Sequence, residues 1–213
     1  LSYSEIMQSK ILRLNPAREH LHGATLAQEH LEKLLPLLSK PSVEPIVFLL
    51  DLSNAVSVTA SYLRATLHWA LLCGQADVQQ KTFDGTLSDF SVRPLPLFPV
   101  VTGCSNEVIA DVDDFFRGRS LPLHHVTKFT ECELKSARLL GTLDSVLATT
   151  LRQLGEAREA TAAQLAEQGG EAITVNGWSN RLADLYLLRL VTRRRSGKFW
   201  IYSPLVKSIT LWA

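Results

Sequence analysis

Apolar positions along the chain fall into short blocks of two kinds, some repeating at helical spacing and some running unbroken. Ala27, Leu31, Leu34, Leu35 and Leu38 lie at offsets 4, 7, 8 and 11, which lines one face of an amphipathic helix that Pro41 ends. Pro45 bars a further helix, and the unbroken run Ile46 to Leu50 reads as a strand buried on both faces. After a turn near Asn54, Leu63, Leu67, Ala70 and Leu71 return to helical spacing with Tyr62 and Trp69 beside them, and Gly74 is a natural stop. Residues 75–96 show no period and read as an irregular excursion or a poorly formed hairpin. A strand then follows over Leu97 to Thr102, a helix from Asn106 to Phe116 capped by Ser105, and another strand over Leu121 to Phe129. Strands separated by helices predict an α/β layer with a mostly parallel sheet.

The last third has a different rhythm. Leu143, Leu147, Leu151 and Leu154 recur at offsets 4, 8 and 11, a first helix that Gly155 can end. Thr161 caps a second helix to Gln168 around Leu165, and Gly169 and Gly170 break it. A third helix runs from Val175 or Asn176 to Leu188 with Trp178, Leu182 and Leu185 as its buried face. Two β-prone runs follow, Leu190 to Arg195 and Lys198 to Tyr202, joined by Ser196-Gly197 and closed by Pro204, the pattern of a hairpin. The pattern divides the chain into an α/β domain over residues 1–138 and a smaller module over residues 139–213.

Composition narrows the classes. The 213 residues are 46% hydrophobic and 20% charged, within the globular range and outside the disordered and fibrous ones. The longest unbroken aliphatic or aromatic run is Ile46 to Leu50, far short of the ~20 residues of a membrane-spanning helix, so no membrane partner is expected. Three scattered cysteines, Cys73, Cys104 and Cys132, suit neither a disulfide framework nor a thiolate metal site and point to a cytoplasmic setting. No basic segment leads into an apolar core at the start, so no secretory signal is expected, and Leu1 in place of Met suggests a trimmed piece. The net charge of +1 names no partner, but its distribution is uneven. Residues 1–142 carry 13 basic against 15 acidic side chains; residues 143–213 carry 9 against 6, with five of the nine between Arg189 and Lys198.

The stretch Phe48-Leu-Leu-Asp51-Leu-Ser-Asn-Ala-Val56-Ser-Val-Thr-Ala-Ser61-Tyr62-Leu63 resembles the STAS-like domains, in which a buried strand ending in Asp leads through a short loop to a Ser at a helix start. The resemblance covers about residues 10–74. It implies a sensing, dimerisation or protein-docking role for the α/β domain, with Ser61, or Thr59, as a phosphorylation switch. Where such switches carry Asp-Ser, this chain has Ala60-Ser61, and Ser61 as a simple cap or packing residue is the competing reading.

The order helix, helix, helix, two-stranded ribbon over Leu143 to Leu205 is similar to the winged helix-turn-helix of bacterial-type transcriptional regulators. The residues that carry it are Thr161-Ala-Ala-Gln-Leu-Ala, Ser179-Asn180-Arg181-Leu182-Ala183-Asp184-Leu185 and Leu190-Val191 before the basic wing. At the junction where that family has glycine stands Arg189, so the junction is expected to be tighter or to continue helically. The resemblance implies sequence-dependent binding of double-stranded DNA by a homodimer, with the third helix in the major groove. Asn176, Gly177, Ser179, Asn180 and Arg181 would face base edges, since Asn pairs with adenine and Arg with guanine through two atoms. Arg193, Arg194, Arg195 and Lys198 at the wing would reach phosphates or the minor groove. That assignment requires an uncovered helix and arginines gathered on one side. The alternative is a signalling module in which the winged helix docks a protein partner and the Ser61 loop is the switch.

Other side chains have plainer readings. Arg181 suits a bond inside the module, for instance to Asp184 three positions on, as well as a base. Trp178, Trp200 and Tyr202 are read as core before base-stacking residues. His20 with His22, and His124 with His125, are read as pointing to opposite faces or lacking a third ligand, so no metal site is expected. Asp111, Asp113 and Asp114 are read as a solvated acidic helix face, and Cys104 as a packed thiol. No phosphate loop, nucleophile elbow or dinucleotide fingerprint occurs, so neither an enzyme nor a cofactor is expected.

Overall fold

The computed structural model describes residues 10–34, 36, 44–73, 96–168 and 173–211. The expected excursion over residues 75–96, the helix positions Leu35 and Leu38, and Gly74, Gly169 and Gly170 therefore lie outside the described residues, Pro96 excepted. The chain is of mixed α/β class and divides into two compact units, Leu1–Val112 with Phe129–Glu133, and Asp113–Lys128 with Leu134–Ala213. No described helix is long and apolar enough to cross a membrane.

The first unit is built on three parallel strands, β1 (Lys10–Leu14), β3 (Ile46–Asp51) and β5 (Leu97–Thr102), with β3 in the middle. Its register runs Lys10↔Ile46 to Leu14↔Leu50 on one side and Ile46↔Leu97 to Asp51↔Thr102 on the other. All six residues of β3 and of β5 are buried, which is why both read as apolar runs, up to the polar Asp51 and Thr102 at their ends, and not as alternations. A second, two-residue parallel ladder joins β2 (His20–Leu21) to β4 (Ser57–Val58). Helix α1 (Ala24–Glu32) buries Ala27, His30 and Leu31. Helix α2 opens at Ala60–Leu63, widens into a π-type turn over Arg64–His68 and stays helical to residue 73. At that turn the buried Thr66 hydroxyl donates to the Tyr62 carbonyl at 2.9 Å, and the Trp69 amide reaches back five residues to the Arg64 carbonyl. Such single π turns need a side chain or backbone group to take up the displaced bond. The Tyr62 hydroxyl meets His30 Nδ1 at 2.8 Å, pinning α2 to α1.

Helix α3 (Asn106–Arg117) follows β5. In the second unit come β6 (Pro122–Phe129), β7 (Leu134–Gly141) and, from the far end of the chain, β10 (Ser208–Thr210), which pairs parallel to β7 with Ser208↔Ser136 and Thr210↔Arg138. At the end of β7, Gly141 has φ of +76°, and a Cβ there would stand 2.0 Å from the Leu121 carbonyl, so only glycine fits. Helix α4 (Ser145–Ala157) starts on Asp144, whose carboxylate accepts from Val146 and Leu147 amides at 2.8 and 3.3 Å. It runs through Gly155, two residues beyond the expected stop, and ends at Arg158 with φ of +65°. Helix α5 (Ala162–Gln168) opens with a reciprocal cap: the Gln164 amide donates to Thr161 Oγ1 at 3.2 Å and the Thr161 amide to Gln164 Oε1 at 2.8 Å. Helix α6 (Val175–Leu187) and the antiparallel ribbon β8 (Val191–Ser196) with β9 (Phe199–Pro204) complete the unit. Leu151, Leu154, Leu165, Trp178, Leu182, Leu185, Val191 and Tyr202 are all buried between these elements.

Candidate nucleic-acid interface

Helix α6 is fixed by its own pattern. Thr174 caps it, its hydroxyl accepting from the Gly177 amide at 3.2 Å, and Trp178, Leu182 and Leu185 are wholly buried. At about 100° per residue, Asn176 and Asn180 fall on the side of the helix away from those three and Ser179 on the flank, and all are exposed. Arg181 lies between the two faces. It is half-buried, with its guanidinium 5.6 Å from the Trp178 ring, so the base-reading set expected from the sequence comes out as three exposed amide and hydroxyl side chains and one arginine leaning on the core.

The junction behind α6 does not continue as helix. Arg189 takes a left-handed φ of +59°, its amide bonds back to Tyr186 at 3.0 Å and the Leu190 amide to Leu185 at 3.1 Å. That pair of bonds is a Schellman ending, whose left-handed position is ordinarily glycine. Here an arginine holds it, 1% exposed, with its guanidinium 4.6 Å from the Tyr186 ring.

The ribbon divides its arginines. Period-two alternation sends Arg193 and Arg195 to one face and Arg194 to the other, so three consecutive residues cannot gather on one side as the sequence reading required. Arg193 is stacked between Tyr186, at 4.0 Å, and Trp200, at 4.4 Å, and is part of the ribbon's packing. Arg194 pairs with Glu159 at 3.2 Å, with both side chains about half exposed, a contact worth ~0.2–1 kcal/mol. Arg195 is exposed, with its Nε donating to the Gly197 carbonyl at 3.3 Å, and Lys198 is exposed at the tip. The exposed cations of the tip are thus Lys198 and Arg195, whose guanidinium also lies 5.9 Å from the Trp200 ring, with Arg194 releasable at small cost. Phe199 beside them is 64% exposed.

Ribbon and helices are tied together by Ala160, in the link between α4 and α5, which exchanges backbone bonds with Tyr202 at 3.0 and 2.9 Å. Trp178 and Tyr202 are buried and Trp200 half-buried. Burial raises the Tyr202 phenol, with a bond from Arg193 working against the rise.

In the first unit, Ser61 is exposed in the first turn of α2, its Oγ 3.0 Å from Thr59 Oγ1. The loop leading to it is anchored at Asp51, which is 2% exposed. Its carboxylate accepts from Arg13, from Asn15 Nδ2 at 3.2 Å and from the Ser53 amide at 3.0 Å. Burial pushes the Asp51 carboxyl up, and the bonds from Arg13 and Ser53 outweigh it, leaving the group below its ordinary value.

Among the remaining candidates, His124 and His125 are both buried. Burial brings each down to about 4, with the Leu190 backbone opposing the shift at His124 and the Arg138 charge adding to it at His125. Arg138 Nε donates to His125 Nδ1 at 3.0 Å. Asp113 is engaged, accepting from Arg117 and from the Gly141 amide at 2.6 Å, whereas Asp111 and Asp114 are exposed. Cys104 is half-buried, with its thiol 3.7 Å from the Thr102 carbonyl. His20 and His22 do not point apart: each ring has a nitrogen 2.9 Å from Ser57 Oγ. Their spacing of two on a strand was the available signal, since residues i and i+2 share a face; that Ser57 faces them was not readable locally.

No protein-family model, curated protein or solved structure matches this chain.

Proposed function

We propose that the second unit is a winged helix-turn-helix that binds double-stranded DNA in a sequence-dependent way, as the DNA-binding part of a cytoplasmic, homodimeric transcriptional regulator. On this reading the first unit is a STAS-like sensing or dimerisation domain. The observation that carries it is the face of α6: Asn176 and Asn180 stand exposed opposite a core of Trp178, Leu182 and Leu185, with Ser179 exposed on the flank, at the N-terminal end that such a helix puts against base edges. Arg195 and Lys198 supply the phosphate contacts, which raise affinity for any sequence. Arg193 is assigned to the architecture of the wing and Arg194 faces its other side, so the condition of one gathered arginine cluster is not met and the proposal rests on α6, with Arg195 and Lys198 in place of the full basic run.

Selection from a random duplex pool, followed by binding across a salt series, tests this. Asn176→Ala and Asn180→Ala should each cost about 1–3 kcal/mol on the selected site and relax its sequence. Arg195→Ala and Lys198→Ala should weaken all duplexes alike and reduce the salt slope by about one each. No enrichment over the starting pool, or asparagine variants that select the same sequence with unchanged affinity, would overturn it.

A second reading, a protein-docking module with the Ser61 loop as phospho-switch, draws on Phe199. A 64% exposed aromatic at a ribbon tip is the kind of anchor that fills a pocket on a partner protein. Salt-insensitive capture of a protein partner that Phe199→Ser abolishes, in a chain that binds no duplex, would favour it.

A further inference from the structure

We infer that His20, His22 and Ser57 form a binding site for one imidazole-preferring divalent cation of the Zn²⁺ or Cu²⁺ kind. The two histidines flank the buried Leu21 and turn to the same side. The parallel register His20↔Ser57 sets the serine opposite them. His20 Nδ1 and His22 Nε2 each lie 2.9 Å from Ser57 Oγ, and the ring centroids are 5.6 Å apart. Two legs of 2.9 Å put the two nitrogens no more than 5.8 Å from one another. A tetrahedral ion holding imidazole nitrogens at ~2.0–2.1 Å needs them roughly 3.4 Å apart, which lies within that ceiling.

The hydroxyl has a single hydrogen, so at least one of the two nitrogens faces it as a proton donor and the other is free to accept. The accepting nitrogen already turns its lone pair to the site, and the other does so on a change of tautomer. The backbone around them is held. The Val56 and Ser57 amides donate to the Glu19 carbonyl at 2.7 and 3.1 Å, and the Thr59 amide to Leu21 at 3.0 Å. Only the rings therefore have to move. Among the described residues no three of His, Cys, Asp and Glu cluster; the third donor here is a hydroxyl oxygen. Two imidazoles and a hydroxyl carry no negative charge, which disfavours the hard, carboxylate-seeking Ca²⁺ and Mg²⁺ and suits Zn²⁺ or Cu²⁺. Exposure of both rings leaves the remaining positions on the ion open to water. The ion would bridge segments 35 and 37 residues apart in the chain, so binding should stabilise the folded state by linkage. The site is independent of the DNA-binding reading.

The test is calorimetric titration of the full chain with Zn²⁺, paired with thermal unfolding in Zn²⁺ and in chelator. One ion per chain is expected, with affinity at least tenfold weaker in His20→Ala and in His22→Ala, lost in the double variant and kept in Cys132→Ser. Zn²⁺ should raise the unfolding midpoint of the parent and not of the double variant. Both histidines are exposed, so their removal leaves the core intact, and circular dichroism checks this. A parent that takes up no Zn²⁺, or a double variant that binds it as the parent does, overturns the inference.

Discussion

Replacing Arg189 by glycine and, separately, by alanine isolates the cost of placing a side chain at the left-handed end of α6. Both variants remove the same guanidinium from beside Tyr186 and leave the same space, so the loss of packing cancels between them. What differs is the Cβ. At φ of +59° a Cβ crowds the following carbonyl and costs about 1–2 kcal/mol. Glycine in turn loses more backbone freedom on folding, by about 0.4–1 kcal/mol, which at the central values leaves glycine ahead by roughly 0.8 kcal/mol. With a urea m-value of ~2 kcal/mol/M, the glycine variant should unfold at a midpoint ~0.3–0.5 M higher. In a Trp69→Phe background every remaining tryptophan lies in the second unit, so fluorescence reports that unit alone. A matched pair at Arg152, exposed in the interior of α4, supplies the opposite sign: there alanine should exceed glycine by about 0.5–1 kcal/mol. If alanine equals or exceeds glycine at position 189 as well, Arg189 is not held left-handed and the Schellman ending of α6 is wrong.

Three further outcomes are expected. Gly103→Ala should destabilise the first unit by more than about 2 kcal/mol, because at φ of +72° a Cβ would stand 2.5 Å from Asp51 Oδ1 and 2.8 Å from the Ser53 amide; a thermal midpoint within a degree of the parent's would contradict that contact. His124 and His125, at about 4 in the fold and ~6.5 unfolded, take up protons mainly in the unfolded chain between those values. Stability should therefore fall as pH drops from 6.5 towards 4, by at most ~1.4 kcal/mol per pH unit for each histidine; urea midpoints at pH 7, 6 and 5 should show this slope, and His125→Gln should flatten it. Asp144→Ala removes the cap of α4 and should cost ~1 kcal/mol, read as a lower urea midpoint with unchanged m; no shift would mean the carboxylate's bonds to Val146 and Leu147 are not formed in solution.

Elements whose cause is local were legible. The buried face of α6, the Thr161 cap and the apolar runs of β3 and β5 up to Asp51 and Thr102 follow from spacing, capping chemistry and period within a dozen residues. The hairpin was legible too, but its turn falls at Gly197-Lys198, one residue beyond the expected Ser196-Gly197, because Ser196 still pairs with Phe199. Strand β7 was not read, since its burial mixes Lys135 and Ser136 with apolar neighbours and offers no clean alternation. Strand β10 is three residues long and acquires its pairing from β7, some seventy positions earlier. The division of the basic trio could have been foreseen from strand alternation alone, whereas the stacking of Arg193 between Tyr186 and Trp200 could not.

Hydrophobic period and turn chemistry, written in neighbouring residues, were enough to place two kinds of segment in one chain: buried parallel strands with helices, then three short helices and a basic ribbon. Tertiary structure alone decided which polar groups meet. Asp51 with Arg13, Ser57 with two imidazoles, Ala160 with Tyr202 and the left-handed turn of Arg189 each join partners or impose conformations that local preference does not favour. Such contacts gain their free energy only after distant segments have been brought together and water excluded, so no window of neighbouring residues carries their signature.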